Sequence, residues 1–125
     1  MILTINDNQT ISSIQEEFNI AFPYLKLEFF KHAHSIHQGS RKNDILNHNL
    51  LLKQIRKNHE NGRIVVNDIM KVSELELLFQ KQFGLFAQVF RKSAGTWIET
   101  SITDDWTLKQ QNDEGQELSQ FVKNA

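Results

Sequence analysis

The chain contains no cysteine, which excludes disulfide bonds, thiolate metal ligands and cysteine nucleophiles. It also lacks a strong net charge. The formal value is -1, so attraction to nucleic acid or to an acidic membrane has to come from a local patch. No apolar run is long enough to cross a bilayer, and the opening MILTINDNQT lacks the basic start and apolar core of a secretory signal. We therefore expect a cytoplasmic protein without a membrane partner.

Motifs that carry catalysis are also lacking. The sequence has no glycine-rich phosphate loop, no G-x-S-x-G elbow and no H-E-x-x-H helix. Asp104 and Asp105 directly precede a predicted helix, where acidic side chains commonly cap the first turn or complement the helix dipole. We therefore predict no catalytic residues and no cofactor, and a protein that is not an enzyme is favoured.

The residues that are present fit one small globular domain. The chain has 125 residues, of which 39% are hydrophobic and 23% charged, so it is long enough to build one well-packed core. Nine Phe and two Trp supply bulky side chains for that core. We expect a single domain over residues 1–125.

Residues 6–31 are echoed at residues 67–92, so the chain contains an internal repeat. The two stretches align without a gap, and the identical pairs are Asn6/Asn67, Asp7/Asp68, Ser12/Ser73, Phe18/Phe79, Phe22/Phe83, Phe29/Phe90 and Lys31/Lys92. In both stretches apolar residues recur at intervals of three and four, which is typical of one face of a helix. Each copy therefore predicts a helix with a core-facing side.

Each copy also predicts a strand on either side of its helix. Ser12 with Gln15, and Ser73 with Glu76, have capping-box spacing and predict where the two helices begin. The single proline of the chain ends the first helix and Gly84 ends the second, and apolar runs follow both. We predict an α+β fold in which the duplicated βαβ units form a ferredoxin-like (split βαβ) sheet with helices on one face. A ubiquitin-like roll, or a helix-covered sheet of another strand order, has the same elements and is the alternative.

The remaining segments add a fifth strand and a C-terminal helix. Side chains alternate from Thr96 to Ile102, which predicts a strand in a hairpin with the fourth. Thr107 and Gln110 form a capping box for a helix that we expect Gly115 to interrupt. The predicted organisation is copy one over about 2–31, a basic His-rich insert over 32–62, copy two over about 63–92, and the hairpin strand and C-terminal helix over 93–125.

Three stretches of the second half carry a family likeness: the helix SELELLFQKQFG, the hairpin QVFRKSAGTWIET and the segment TDDWTLKQQN. Over Val72 to Asn112 the chain resembles a family of small uncharacterised bacterial proteins. The resemblance covers about a third of the chain and implies a shared fold. It contains no catalytic signature, so it implies no reaction.

The insert contains all five histidines of the chain, at positions 32, 34, 37, 48 and 59. His32, His34 and His37 form an H-x-H-x2-H cluster, and imidazole is a ligand for zinc, copper and nickel. A metal site is one hypothesis for this cluster. No acidic or thiol residue lies nearby to complete a coordination shell, so solvated histidines are the alternative interpretation.

The insert is also basic. From Lys31 to Arg63, seven basic residues outnumber two acidic ones, which gives a net charge of +5. The basic positions are joined by aromatic residues of the preceding strand, and the set is Lys31, His32, Arg41, Lys42, Lys53, Arg56 and Lys57 with Tyr24, Phe29 and Phe30. Such a surface is typical of single-stranded nucleic-acid binding. The RNP1 strand motif is absent, and a solvated helix face carries similar charges.

The charge is divided along the chain. Residues 93–125 carry six acidic and two basic side chains, a net charge of -4 that opposes the charge of the insert. Such polarity guides docking to a charged protein or to a second copy of the chain. Trp97 and Trp106 are expected to anchor a contact if they are exposed. We predict a non-enzymatic protein-protein interaction or scaffolding domain, with a single-stranded nucleic-acid-binding module and a metal-binding protein as alternatives.

Overall fold

The computed structural model describes residues 1–33 and 42–124, and the following bounds refer to that part of the chain. The strands are β1 Ile2–Ile5, β2 Leu25–Phe30, β3 Gly62–Val65, β4 Phe86–Ser93 and β5 Thr96–Glu99. The α-helices are α1 Ile11–Ala21, α2 Leu52–Ile55, α3 Val72–Phe83 and α4 Leu108–Asn124, and a short 3₁₀ helix spans Lys42–Asp44. None of these helices is both long enough and apolar enough to span a bilayer. The predicted α+β class is confirmed.

The five strands divide between two antiparallel sheets. β1 pairs with β3 into a two-stranded ribbon, and the second sheet has the order β2-β4-β5. The predicted ferredoxin-like sheet, in which strands of both copies would lie side by side in one layer, is therefore not confirmed for the described residues. Alternating apolar residues determine which face of a strand is buried, but they leave open which strand becomes its neighbour.

Both ladders relate equivalent positions of the two copies. Leu3 and Ile64 are equivalent in the alignment of the repeat, and they lie directly opposite each other in the ribbon. In the ladder between β2 and β4, the strand partner of Leu27 is the residue equivalent to Glu28, and the strand partner of Glu28 is the residue equivalent to Leu27. The symmetry axis of this ladder therefore passes between Leu27 and Glu28. The strand pairing therefore has pseudo-two-fold symmetry, which relates the first half of the chain to the second.

The likeness between the halves continues beyond β2 and β4. The tripeptide LKQ begins α2 and recurs at the beginning of α4. The N–H of Lys53 donates to the carbonyl of Asp7 at 3.2 Å, and the N–H of Lys109 donates to the carbonyl of Asp68 at 2.9 Å. The end of the predicted insert therefore corresponds to the segment that leads into α4.

One hydrophobic cluster receives aromatic side chains from both halves. Phe18 and Phe22 near the end of α1 are buried in it, as are their equivalents Phe79 and Phe83 of α3. Phe29 meets Phe79 edge to face, with ring centroids 5.4 Å apart. Such aromatic pairs contribute about 0.5–1.5 kcal/mol beyond the burial of their area. The two halves therefore share a core.

The predicted capping boxes of α1 and α3 are wrong, because both helices begin one residue before the serine. α1 is capped instead by Thr10, whose hydroxyl accepts the N–H at position 13 at 3.3 Å. Gln15 and Glu76 reach across to the sheet. The Nε2 of Gln15 donates to the carbonyl of Leu27 at 2.6 Å, and Glu76 accepts the N–H of Val89 at 2.9 Å. Tertiary contacts thus replace the expected local ones.

α4 continues through Gly115, where the sequence led us to expect an interruption. A Cβ added at this glycine would lie 2.8 Å from the Cβ of Tyr24 and 3.3 Å from the Cγ of Arg91. Real Cβ atoms do not approach a neighbouring carbon so closely. The glycine therefore allows α4 to lie directly against the sheet that contains β2 and β4.

Replacing Gly115 with alanine is expected to destabilise the protein, although Gly to Ala in an exposed helix stabilises it by about 1 kcal/mol. The added methyl group has to displace Tyr24, and such overpacking costs about 1–3 kcal/mol. Urea unfolding measures the change, with Gln116→Ala at an exposed position of α4 as the control. A Gly115→Ala protein as stable as the wild type, or more stable, would show that α4 does not lie so close to Tyr24.

Candidate functional site

The outer face of the ribbon exposes an apolar pair. Ile2 and Val65 lie directly opposite each other, and they expose 53% and 68% of their surface. Their neighbours Leu3 and Ile64 point to the other face and are buried in the core, as the alternation of a strand requires. The buried pair holds the ribbon in place and leaves the exposed pair available for contact with another molecule.

Both strands of the ribbon are edge strands, since the sheet consists of β1 and β3 alone. Within residues 1–33 and 42–124, no hydrogen bond joins the outward backbone groups of Ile2 and Thr4, or those of Arg63 and Val65, to another segment. Unpaired amides and carbonyls of an edge strand are a template for a further strand. The ribbon therefore combines an apolar surface with two open backbone edges.

An open cleft of about 660 Å³ lies where β1 begins and β3 ends. The end of α1, the turn after β3 and the first turns of α4 form its walls, which include Phe22, Val65, Asp68, Lys109, Asn112 and Asp113. We call it the Asp68 cleft. Because Val65 belongs both to the exposed pair and to this lining, the cleft adjoins the apolar face of the ribbon.

The charged side chains of the Asp68 cleft are two carboxylates and one ammonium. The Nζ of Lys109 lies 2.6 Å from Oδ2 of Asp113. The hydrogen bond to Asp113 raises the pKa of Lys109, and the negative charge of Asp68 acts in the same direction. The Oδ1 of Asn112 accepts the N–H of Tyr24 at 2.9 Å. The α-ammonium group of Met1 also lines the cleft and donates to the carbonyl of Val66 at 3.0 Å, so two carboxylates and two ammonium groups face this space.

Arg56 does not lie on the exposed basic surface that the sequence suggested, because its side chain has 0% exposure. Its Nη2 and Nε donate to Oδ1 of Asp7 at 2.8 and 3.1 Å, and its Nη1 donates to the carbonyls of Glu60 and Phe83 at 2.8 and 3.1 Å. His59 lies 2.9 Å from the other oxygen of Asp7. Partial burial raises the pKa of Asp7, but hydrogen bonds from Arg56 and His59 outweigh it and lower the pKa overall.

A second concavity, the Glu76 groove, holds about 190 Å³ between α3 and β4. Besides the bond from Val89, Glu76 accepts the Nε2 of Gln88 at 3.3 Å. Burial raises the pKa of Glu76 to about 8, opposed by the bond from Val89 and assisted by the negative charges of Asp104 and Glu99. A carboxyl that titrates near neutral pH in a groove is a candidate proton donor.

Sequence reasoning missed Glu76 because its distance from a serine suggested a helix cap. The overlooked signal is its position in the buried stripe of α3, where it follows Val72 at the spacing of one helical turn and precedes Phe79 and Phe83. An acidic residue in an apolar stripe indicates a buried carboxyl. The same position in the first half carries Gln15, which has no charge.

The predicted anchors Trp97 and Trp106 are separated by the sheet. The ammonium nitrogens of Lys26 and Lys92 lie 5.2 and 5.8 Å from the ring centre of Trp97. Trp106 is 36% exposed and lies 5.7 Å from the guanidinium carbon of Arg91. Because consecutive residues of a strand point to opposite faces, the side chains of Arg91 and Lys92 lie on opposite faces of the sheet. The indoles that they contact therefore lie on opposite faces as well.

The remaining predicted site residues are spread over the structure. Lys42, Lys53 and Lys57 are exposed. Phe29 and Phe30 are buried, so the prediction that they stack bases is wrong. Lys31 is exposed, Tyr24 is half-buried, and Arg41 lies outside the described residues.

Of the predicted metal ligands, only His32 is described, since His34 and His37 lie outside the described residues. His32 is exposed, and its Nδ1 lies 3.3 Å from Oδ2 of Asp44. In residues 1–33 and 42–124, no group of three or more His, Asp or Glu side chains is arranged to hold a metal ion. The metal hypothesis for the full cluster stays a prediction.

No known protein family, curated protein or solved structure matches the chain. The resemblance over Val72 to Asn112 receives no support from these comparisons. Function is therefore inferred from the surfaces and side chains themselves.

The raised pKa of Glu76 predicts a pH dependence of stability. Between its ordinary value of 4.5 and about 8, the folded protein keeps a proton that the unfolded chain releases. The free energy of unfolding should therefore fall as pH rises through this window. Glu76→Gln should flatten that slope, because the amide does not titrate and still accepts the N–H of Val89.

Urea unfolding at several pH values across this window measures the slope, with Glu17→Gln at an exposed position of α1 as the control. The control is expected to keep the wild-type slope. If Glu76→Gln keeps it too, Glu76 is ionised in the folded protein and the burial argument is wrong.

Proposed function

We propose that this protein is a non-enzymatic protein-binding domain, and that its partner docks on the β1–β3 ribbon. The observation that carries the proposal is the exposed pair Ile2 and Val65, which lies on a ribbon with two open backbone edges. Scaffolding, or association with a second copy of the chain, belongs to the same class of function.

Strand addition supplies both affinity and selectivity. An extended segment beside β1 or β3 gains hydrogen bonds from the unpaired amides and carbonyls, and alternate side chains of that segment meet the outer face of the ribbon. The apolar pair at Ile2 and Val65 favours a partner with an apolar side chain at the matching position. Arg63 is exposed on the same face and favours a polar or acidic neighbour.

The size of the Glu76 groove favours a binding domain over an enzyme that uses Glu76 on a small molecule. The Glu76 groove holds about 190 Å³, below the roughly 300–1,000 Å³ that is usual for pockets that bind small molecules. The amide of Val89 and the side chain of Gln88 use Glu76 as an acceptor. These bonds give the carboxyl a structural role, and burial accounts for its raised pKa.

Replacing Val65 or Ile2 with lysine is expected to weaken partner binding by about tenfold or more, because a charge then replaces the apolar contact of an edge strand. Selection from a display library of random peptides supplies ligands, and fluorescence anisotropy measures their affinity for each variant. Sedimentation of the wild-type protein over a range of concentrations tests a second copy as the partner.

Ile102→Lys is the matched control, since Ile102 is 84% exposed and lies outside the ribbon. Its affinity for the selected peptides is expected to equal that of the wild type. Equal loss in Ile102→Lys and Val65→Lys would contradict docking on the ribbon. A strictly monomeric protein that selects no peptide would contradict the proposed function as a whole.

Single-stranded nucleic acid is the alternative partner. It is favoured by a group of lysines and aromatic rings on one face of the second sheet. The Nζ of Lys26 lies 5.4 Å from the ring centre of Phe90, and Trp97 has Lys26 and Lys92 over its ring. Partly exposed rings next to lysines are suited to base stacking and phosphate contact.

If this alternative is correct, single-stranded oligonucleotides bind at low ionic strength and the affinity falls steeply with added salt. Lys26→Ala and Lys92→Ala should each weaken binding, whereas Lys81→Ala on an exposed part of α3 should not. An electrophoretic shift assay measures all three. Absence of a shift at low ionic strength would remove nucleic acid as a partner.

A further inference from the structure

The outer side of α3 carries more apolar surface than its contacts with the core use. The buried residues of this helix are Val72, Leu75, Glu76, Phe79 and Phe83. Leu77 lies outside this buried set, with 47% of its surface exposed, and Leu78 beside it is only partly covered by the core. The solvated face of a helix ordinarily carries polar side chains. The two leucines therefore leave apolar surface on the outside of the helix.

The first half of the chain shows that the fold does not require apolar side chains at these two positions. In the alignment of the repeat, Leu77 and Leu78 correspond to Glu16 and Glu17 of α1. Both glutamates are exposed, and α1 contributes to the same core as α3. The leucine pair of α3 is therefore available for a contact outside the chain.

Four residues of α3 surround a shallow hollow of about 310 Å³, and they are Glu74, Leu77, Leu78 and Lys81. We call them the α3 stripe. Their spacing of i, i+3, i+4 and i+7 is that of the four residues that receive one side chain of a facing helix in knobs-into-holes packing. The leucines lie at the centre of the stripe and the charged residues at its ends. α3 thus presents a hole for a side chain of a second helix.

The charged residues of the α3 stripe have opposite signs and are unpaired. Among the residues that the structure describes, neither Glu74 nor Lys81 forms an ion pair. Glu74 lies in the first turn of α3 and Lys81 in the last. Each end of the stripe therefore offers a charge to a group of opposite sign on another molecule.

The order of the four residues makes the α3 stripe complementary to itself. If two copies of α3 lie antiparallel about a two-fold axis between Leu77 and Leu78, Glu74 of each copy meets Lys81 of the other. Leu77 of each copy meets Leu78 of the other and enters its hollow. The antiparallel arrangement also places opposite ends of the two helix dipoles side by side. One contact thus covers both leucines and pairs both charges.

We propose that α3 forms a homodimer interface, in which the α3 stripes of two copies pack antiparallel. A second copy fits the stripe because its charges and leucines match their own reverse order. The corresponding residues of α1 have no such order, and an antiparallel pair of α1 helices would bring Glu16 and Glu17 together.

This interface is separate from the surface of the proposed function. The β1–β3 ribbon shares no residue with the α3 stripe, so the two inferences stand or fall independently. A dimer through α3 carries two ribbons, and a partner with two binding segments would engage both with avidity.

The contact is small, because the stripe spans two turns of a 12-residue helix. It belongs with the small interfaces of weak, reversible complexes, so we expect a dissociation constant of micromolar order or weaker. Sedimentation velocity of the full chain, from micromolar concentrations to about 1 mM, should show a monomer–dimer equilibrium. A protein that stays monomeric at about 1 mM would overturn the proposal.

Leu77→Glu introduces the residue that α1 has at this position. It should raise the dissociation constant of the dimer about tenfold or more, because a carboxylate then replaces the apolar contact. Ile20→Glu is the matched control, since Ile20 is an 81% exposed isoleucine on α1, and this variant should dimerise like the wild type. Equal weakening by both variants would contradict the proposal, because the effect would then be a general response to charge.

Val65→Lys separates this interface from the ribbon. It is expected to leave the dimer intact, because Val65 lies outside the α3 stripe. A dimer that is lost in Val65→Lys and kept in Leu77→Glu would assign self-association to the ribbon. That result would overturn the present inference and leave the proposed function standing.

Exchange of the charges tests the antiparallel arrangement. Glu74→Lys and Lys81→Glu should each weaken the dimer about tenfold, since like charges then face each other at both ends of the contact. The protein that carries both substitutions should dimerise like the wild type, because opposite charges meet again. If it dimerises no better than either single variant, the stripes do not pack antiparallel and the proposal is wrong.

Discussion

Antiparallel pairing of two equivalent strands is the contact on which the rest of the structure depends. Leu3 faces Ile64 across the ribbon, and both side chains enter the core. This register brings the two helices that follow β1 and β3 to one hydrophobic cluster, in which Phe18 and Phe79 are fully buried. It also turns the other face of each strand outward, which exposes Ile2 and Val65.

The two halves share a framework but differ in the side chains that fill it. Where the first half has buried Arg56, the second half has Asn112 and an open cleft. Where the first half has Gln15 at the edge of its sheet, the second half has the buried carboxyl of Glu76. The hydrogen bonds from the N–H of Lys53 to Asp7 and from the N–H of Lys109 to Asp68 are nevertheless present in both halves.

Periodicity and local turn signals could predict most of the elements, but not their assembly. The phenylalanine spacing predicted both long helices and their contribution to the core, because burial of one helix face depends on sequence neighbours alone. The pairing of β1 with β3 depends on contacts between distant segments, and the pattern of either strand fits several neighbours. For the same reason the local sequence around Arg56 predicts a surface cation. Its partner Asp7 lies far from it in the sequence, and the Asp68 cleft is likewise formed by three separate segments.

Cross-strand nuclear Overhauser contacts test the central pairing most directly. Met1 and Val66 exchange backbone hydrogen bonds, so the next pair, Ile2 and Val65, is a close non-hydrogen-bonded pair with Cα atoms about 4.5 Å apart. We predict strong contacts between the Hα protons of Ile2 and Val65. Contacts that instead join β1 to β4, or β2 to β3, would belong to a single ferredoxin-like sheet and would contradict the two-sheet, pseudo-symmetric account.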